Sequence, residues 1–216
     1  MNRTNDELVD EVASSAEDYI VPMKRSGAVL EAMRAVDRSL FVPFADERVY
    51  ADIPVPIGYG QTCSQPSMVA FMLDLLELRP GMKVLEVGAG CGYAAAAASL
   101  LVGREGAVYA CEILGPLYEL LCRNVSLREN IIPLHADGSS GIREYAPYDR
   151  IFLSAGAGGF RFDEAPFAGD LSDGGILLYP EVCGNLYRLR RDGETFTREL
   201  FCGVRFVPLV RGRQGG

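Results

Sequence analysis

The sequence predicts an α/β fold: a doubly wound, mostly parallel sheet with helices on both faces, an N-terminal helical extension and C-terminal antiparallel strands. Three observations predict it. The stretch Lys83-Val84-Leu85-Glu86-Val87-Gly88-Ala89-Gly90-Cys91-Gly92 reads as a buried strand that ends in an acid and turns through alternate glycines into a helix. From there to Tyr179, short apolar runs alternate with helical periodicities, the pattern of a parallel sheet with crossover helices. The chain has 216 residues and 49% apolar side chains, enough to bury a substantial core.

Each element has its own signal. Asn5 to Tyr19 is expected to be a helix, because Leu8, Val12, Ala16 and Tyr19 fall on one face. Ala28 to Val36 repeats the pattern before Asp37-Arg38. Phe41 to Gln65 has little periodicity and is rich in Pro, Gly and aromatics; loops of that length are often functional. A helix follows over Ser67 to Leu78, with Ser64 or Ser67 as its cap and Met68, Met72, Leu75 and Leu76 inward. Arg79-Pro80-Gly81 stops it.

Lys83 to Val87 is a strand, and Tyr93 to Leu101 is a helix whose alanine run, Ala94 to Ala98, can pack close to a sheet. Ala107 to Cys111, closed by Glu112, is the next strand; Leu117 to Leu127 is a helix; Ile131 to His135 is a strand ending at Asp137-Gly138. Tyr148 to Ser154 is a fourth strand, Phe167 to Leu171 a short helix and Gly175 to Tyr179 a fifth strand. Leu186 to Arg190, Phe196 to Phe201 and Val204 to Leu209 are further strands, and Arg211 to Gly216 reads as a loose tail. N-terminal helices and a long loop (1–66) thus precede the sheet core and its C-terminal strands (67–216), effectively as one domain.

Composition excludes several classes of function. The net charge of -8 opposes attraction to nucleic acid or an anionic membrane. No apolar run reaches the roughly 18 to 20 residues of a membrane span, and Met1 to Asp10 lacks a signal-peptide pattern. The six cysteines are scattered without a CxxC pair, so reduced thiols and a cytoplasmic location are expected. A single histidine, His135, cannot support a multi-histidine metal site, and no GxSxG elbow accompanies it. No metal is expected.

Three strand ends carry coherent chemistry. Glu86, with Gly88 and Gly90, closes the first. Glycine accepts positive φ and lets a ligand approach the backbone, while a crowded carboxylate repels phosphate and welcomes an ammonium or a hydroxyl. Glu112 closes the second strand, about 20 residues beyond the glycines, where an acid can accept hydrogen bonds from both ribose hydroxyls. Asp137-Gly138 closes the third, where a carboxylate can accept from an exocyclic adenine amine. Three acids without a phosphate-binding lysine suit S-adenosylmethionine, whose sulfonium and amine are positive. The alternatives are a dinucleotide site, or acids that only cap strands; Asp137 in Asp-Gly-Ser-Ser-Gly can also be a turn former.

Ile53-Pro54-Val55-Pro56-Ile57-Gly58-Tyr59-Gly60-Gln61-Thr62-Cys63-Ser64-Gln65-Pro66 resembles the signature of protein-L-isoaspartate O-methyltransferases. The likeness continues through Leu85 to Tyr93, Ala136-Asp137-Gly138 and Ala146-Pro147-Tyr148-Asp149. It includes Ala32-Met33 and Asp37-Arg38 upstream and Phe206-Val207-Pro208-Leu209 near the end, so it covers roughly residues 28 to 210. The Gly-Gln-Thr-x-Ser-x-Pro element is far more specific than the glycine loop.

The resemblance implies a Rossmann-like class I methyltransferase that moves a methyl group from S-adenosylmethionine, leaving S-adenosylhomocysteine, to the α-carboxylate of an isoaspartyl residue in a damaged peptide. The ester then cyclises to a succinimide. The family's active-site serine falls on Ser64, and its cofactor contacts fall on Gln61, Thr62, Cys63, Ser64, Glu86, Gly88, Gly90, Glu112, Asp137 and Gly138. Val207, Pro208 and Leu209 resemble the strand that helps hold the substrate backbone. The implied partner is an isoaspartyl peptide or protein, with no nucleic acid or membrane, and the enzyme is expected to be a monomer. A carboxylate is already ionised at neutral pH and the sulfonium already leaves well, so no strong base is needed. Alignment and exclusion of water are the enzyme's task, and Ser64 is expected to donate a hydrogen bond to the incoming carboxylate.

The chain departs from the family pattern at Ser67, Ala136, Glu181 and Gly158 to Glu164, all near the expected substrate channel. A relative that methylates another aspartyl or peptide carboxylate, a class I enzyme acting on a small molecule, and a non-catalytic cofactor-binding protein are the other readings. Cys63 and Cys91 read as packing residues, His135 as a satisfied or partly exposed histidine at a strand end, Tyr59 as a site-lining or loop-anchoring residue, and Arg188 to Arg191 as a solvated hairpin.

Overall fold

A computed structural model describes residues 3–14, 27–43, 47–157 and 162–212. Its centre is a seven-stranded sheet built from β3 (Lys83–Val87), β4 (Ala107–Glu112), β5 (Ile131–His135), β6 (Tyr148–Leu153), β7 (Leu171–Pro180), β8 (Cys183–Asp192) and β9 (Thr195–Arg205). The order across the sheet is β5-β4-β3-β6-β7-β8-β9. The first five of these run parallel, and β8 and β9 are antiparallel additions at one edge. The order of strand addition reverses between β3 and β6, with β4 and β5 on one side and β6 and β7 on the other, which opens a crevice at their carboxyl ends.

Five helices cover one face: α1 (Asn5–Ser14), α2 (Gly27–Arg34), α3 (Pro66–Leu75), α4 (Tyr93–Val102) and α5 (Gly115–Val125). They share a core with Val84, Val108, Phe152 and Ile176 of the sheet. Ala95 to Ala98 of α4 are fully buried, so the alanine run does bring a helix close to the strands. The other face is thinner. It carries α6 (Ala165–Gly169), a 3-10 turn at Arg143–Tyr145 and the aromatic side chains of Tyr148, Phe167 and Tyr179 packed over Leu85, Val87 and Leu153.

The structure departs from the sequence reading at several elements. α1 is described to Ser14; Ala16 and Tyr19 of the expected helix lie outside the described residues. A 3-10 turn at Arg38–Leu40 leads into the long connection from Phe41, which contains a second at Glu47–Tyr50 and an antiparallel hairpin of β1 (Val55–Gly58) and β2 (Gln61–Cys63). Period-two alternation is too short there to announce a strand. α3 starts at Pro66, and neither Ser64 nor Ser67 caps it. Proline has no N–H to satisfy at the first helical position. Asp52 takes the next one: its Oδ1 accepts from Ser67 N at 2.7 Å and its Oδ2 from Gln65 Nε2 at 3.0 Å. The short helix α6 lies two residues earlier than expected, because Leu171 already belongs to β7.

Phe196 to Phe201 and Val204 to Leu209 are not two strands. β9 runs unbroken to Arg205, because Gly203 forms a bulge: Gly184 pairs with Val204, and Asn185 with Cys202. Val207 to Leu209 lie beyond β9 and bridge Gly156, with Gly156 N donating to Val207 O at 2.7 Å and Leu209 N to Gly156 O at 2.9 Å. The arginines of β8 are not simply solvated. Arg188 and Arg190 pair with Glu77 at 3.3 and 2.7 Å, and Arg188 also pairs with Glu199.

One buried cation organises the loop that precedes α3. Arg38 is 0% exposed. Its Nη1 donates to Val49 O (2.7 Å) and Ala51 O (3.2 Å), and its Nη2 to Ile53 O (2.9 Å), Cys63 O (3.2 Å) and Ser64 O (3.0 Å). The neighbouring Asp37 accepts from Ser39 N, Ser39 Oγ and Tyr50 Oη, which fixes the turn that carries Arg38. Asn5 of α1 closes the same corner by donating to Met33 O and Arg34 O, both at 3.1 Å.

Arg38→Met would strand several of these carbonyls without donors. At roughly 1–3 kcal/mol for each buried unsatisfied acceptor, it should cost about 3 kcal/mol or more, read by urea unfolding. Amide hydrogen exchange should rise at residues 61–64. Arg38→Lys should recover only part of the loss, since an ammonium cannot span both ends of the fork. Equal stability in wild type and Arg38→Met would rule out this organising role.

Candidate functional site

The crevice between β3 and β6 gathers most of the residues singled out in the sequence. From β3 come Glu86 and the glycine turn, where Gly88 and Gly90 take φ of +80° and +55°. A Cβ on Gly90 would meet Ile57 Cδ1 of the hairpin at 3.1 Å, so glycine is needed for both backbone angle and space. From β4 comes Glu112, 5% exposed. Its Oε2 accepts from Gly90 N at 2.9 Å and its Oε1 from Leu114 N at 2.8 Å. Glu112 thus helps set the shape of the glycine turn while keeping lone pairs for a ligand hydroxyl.

β2 and the residue after it place Gln61, Thr62, Cys63 and Ser64 opposite the glycine turn. Gln61 and Thr62 line a cavity with Gly88, Gly90, Glu112 and Gly138, closed from the far side by Val207, Pro208 and Leu209. A Cβ on Gly138 would come within 2.9 Å of Val87 Cγ1 and 3.0 Å of Cys111 Sγ, so only glycine lets this loop approach the strands. A second cavity, about 30 Å³, is lined by Cys63, Ser64, Glu86, Cys91 and Tyr93. A third, about 570 Å³, is lined by Ser64, Gln65, Val207 and Pro208 among others. Thr62 and Ser154 line all three, so the cavities adjoin and share walls along one cleft.

Glu86 dominates the electrostatics. Its side chain is 1% exposed. Ser154 Oγ donates to its Oε1 at 2.6 Å, while its Oε2 has no partner among the described residues. Burial pushes its pKa up to about 8, the Ser154 hydrogen bond works against that, and the Glu112 carboxylate adds to it. The hydroxyl of Tyr93, in the same small cavity, is likewise buried without a partner. Two orphaned polar groups facing one cavity fit a ligand that donates hydrogen bonds or carries positive charge. No lysine or arginine lines this cavity or the one beside Glu112, which is unfavourable for phosphate. The donor set therefore fits a cationic nucleoside such as S-adenosylmethionine.

Other expected residues are placed differently. The side chain of Asp137 is turned to its own loop and to the tail: Oδ1 accepts from Ser139 N at 2.9 Å and Oδ2 from Gly212 N at 2.7 Å. Burial opposes its ionisation, but these N–H groups hold its pKa below the usual carboxylate range. Ala136 and Gly138, on either side of it, line the cavity. The tail is therefore tied down as far as Gly212, contrary to the loose end expected; residues 213–216 lie outside the described residues. The thiols of Cys63 and Cys91 hydrogen-bond to each other, which lowers the pKa of Cys63 and raises that of Cys91. Both are buried, as packing residues would be. Tyr59 stands 66% exposed at the hairpin tip. His135 stacks on Tyr118 with ring centroids 4.8 Å apart, and its Nε2 lies 3.2 Å from Ile113 O.

Of the departures, Ser67 is buried at the start of α3 and Ala136 lines the cavity. Glu181 accepts from Asn185 N at 2.9 Å, and Gly158 to Arg161 lie outside the described residues. Among the described residues no three His, Cys, Asp or Glu side chains converge to hold a metal. Sequence reasoning missed Ser154, Asp52 and Tyr93. Ser154 alone had a signal, since it follows the end of a strand at the carboxyl edge of the sheet.

The family model described as Protein-L-isoaspartate(D-aspartate) O-methyltransferase matches residues 6–214. The protein-L-isoaspartate O-methyltransferase of Methanothermobacter thermautotrophicus is 42% identical over 200 residues, 88% of this chain and 90% of that protein. That of Roseiflexus castenholzii is 43% identical over 190 residues, 85% of this chain and 84% of that protein. A solved protein-L-isoaspartate O-methyltransferase superposes with a TM-score of 0.83 at 26% identity, covering 98% of this chain and 67% of that one. A Plasmodium falciparum structure, described as a putative protein-L-isoaspartate O-methyltransferase in complex with S-adenosyl-L-homocysteine, shares the fold with a TM-score of 0.80 at 20% identity, covering 97% and 100%.

The raised pKa of Glu86 gives a stability signature. The folded protein holds a proton there that the unfolded chain releases near the ordinary carboxylate range, so the folded state binds more protons between about pH 5 and pH 8. Stability of the ligand-free protein should fall across that window by about 2–4 kcal/mol from this group. Glu86→Gln should flatten the slope in thermal unfolding series from pH 5 to pH 8. An unchanged slope in the variant would refute the assignment.

Proposed function

The chain belongs to the protein-L-isoaspartate(D-aspartate) O-methyltransferase family, and on that premise we propose that it transfers the methyl group of S-adenosylmethionine to the free α-carboxylate of L-isoaspartyl residues in damaged proteins or peptides. Repair then proceeds through a succinimide. The observation that carries this reading is the cleft: an acid-lined, lysine- and arginine-free inner part adjoins a roomy outer groove at Ser64 and Ser154.

Each wall of the cleft has a task in this reading. Glu86 and Glu112 receive the positive and hydroxyl-bearing parts of the cofactor, and Gln61, Thr62, Cys63, Gly88, Gly90, Asp137 and Gly138 shape its bed. S-adenosylmethionine supplies a methyl group on a sulfonium, already a good leaving group. Ser64 donates a hydrogen bond to the substrate carboxylate and aims it. Val207, Pro208 and Leu209, held against Gly156 by backbone hydrogen bonds, support the peptide. An oxygen–carbon bond forms as the carbon–sulfur bond breaks, and no proton is transferred. That is consistent with His135 being engaged with Tyr118 and Ile113 rather than lining the cleft. A carboxylate and a sulfonium become an ester and a thioether, so opposite charges are neutralised, and a cleft that limits water favours the step.

We read residues 1–66 as N-terminal helices and an active-site loop built onto a 67–216 core, and the protein as a cytoplasmic monomer that binds neither nucleic acid nor membranes. The net charge of -8 supports the last point, and among the described residues no helix is long and apolar enough to cross a membrane.

Incubation with methyl-labelled S-adenosylmethionine and paired isoaspartyl and aspartyl peptides should give base-labile label on the isoaspartyl peptide alone. Label on neither would sink the reading. Ser64→Ala should lower kcat/KM by about 10- to 100-fold, the loss of a hydrogen bond to a charged group of about 1.5–3 kcal/mol. Its unfolding temperature should stay close to wild type, because Asp52 rather than Ser64 satisfies the start of α3. Intact turnover with lowered stability would remove Ser64 from the reaction.

A further inference from the structure

We propose that Arg205 is a specificity residue that selects isoaspartyl substrates carrying an acidic side chain next to the isoaspartate; this rests on the function proposed above. Arg205 is the last residue of β9, exposed, and lines the outer groove of about 570 Å³. It is the one charged residue among those that line this groove, and no acid accompanies it. The groove's inner end is formed by Ser64 and Ser154, which also line the small cavity containing Glu86.

Charge is therefore sorted along the cleft: acids at the cofactor end, one cation at the substrate end. That arrangement stands out in a chain of net charge -8, whose overall field repels acidic peptides. Arg205 also differs from the other arginines of the C-terminal strands, which have acid partners or, like Arg191, donate to backbone carbonyls. Arg188, Arg190 and Arg198 are each neutralised by Glu77, Glu199 or Glu164. The Arg205 side chain has neither a hydrogen bond nor an ion pair among the described residues, so its guanidinium is available to a ligand.

The carboxylate to be methylated is not its partner. That group must reach Ser64 at the inner end with its lone pairs free to attack, and a bidentate guanidinium would occupy them. A carboxylate on an adjacent residue passes the mouth of the groove instead. A partly exposed pair of this kind is worth roughly two- to five-fold in affinity and weakens with salt.

The test uses three isoaspartyl peptides that differ only in the flanking residue: Asp, Gln or Lys. Wild type should show a KM about two- to five-fold lower for the Asp peptide than for the Lys peptide, and the ratio should shrink at high salt. Arg205→Gln should level the three peptides, and Arg205→Glu should reverse the order in favour of Lys. Arg104→Gln, a charge removed outside the cleft, should keep the wild-type order. Methylation of all three peptides without preference, a preference that survives in Arg205→Gln, or one lost equally in Arg104→Gln would overturn the inference alone. Methylation of none by wild type would overturn the proposed function and this inference with it.

Discussion

The cleft depends on the guanidinium of Arg38 and the backbone carbonyls it holds. Five acceptors spread from Val49 to Ser64 converge on its two terminal nitrogens. A loop of that length has no ladder of its own beyond a short hairpin, and buried carbonyls without donors would favour its release into water. Arginine suits the task because its fork is planar, rigid and always charged. With the loop held, Thr62 and Ser64 face the glycine turn, and Asp52 reaches the start of α3. The N-terminal helices therefore act on the chemistry at a distance: Asn5 and the Asp37 turn position Arg38, and Arg38 positions the residues that line the cleft.

A second constraint is the shortage of hydrogen-bond donors around Glu86. An acid buried at the end of a central strand costs stability unless a partner arrives. Ser154 meets one oxygen and leaves the other bare. Glu112 differs because both of its oxygens already serve the backbone. Two acids at neighbouring strand ends are thus placed differently: one keeps an oxygen without a partner among the described residues, while the other holds the glycine turn.

The legible parts of the site were those written in contiguous residues. Glu86 to Gly92 specifies a strand, an acid and a turn within one window. The spacing to Glu112 follows from the length of one helix and one strand, and the segment from Gly60 to Pro66 carried the family likeness. Ser154, Asp52 and the role of Arg38 were not legible in this way. Ser154 meets Glu86 across 68 residues of sequence, and Arg38 meets Ser64 across 26. No local pattern encodes such meetings, because they depend on the strand order and on how a loop folds back.

By itself, the sequence determined the alternating elements, the parallel core, the glycine turn and the acids at three strand ends, because backbone propensity, turn chemistry and hydrophobic period act over a few neighbouring residues. Only the tertiary structure decided which of those acids has an oxygen left bare. Glu86 does, Glu112 is bound to the glycine turn, and Asp137 is bound to Ser139 and to Gly212 of the tail. It also moved the capping of α3 from a serine to Asp52 and joined two expected strands into β9. The reason is the same in each case. Whether a polar group is satisfied depends on which donors and acceptors arrive from distant parts of the chain, and their arrival is set by packing rather than by sequence neighbourhood.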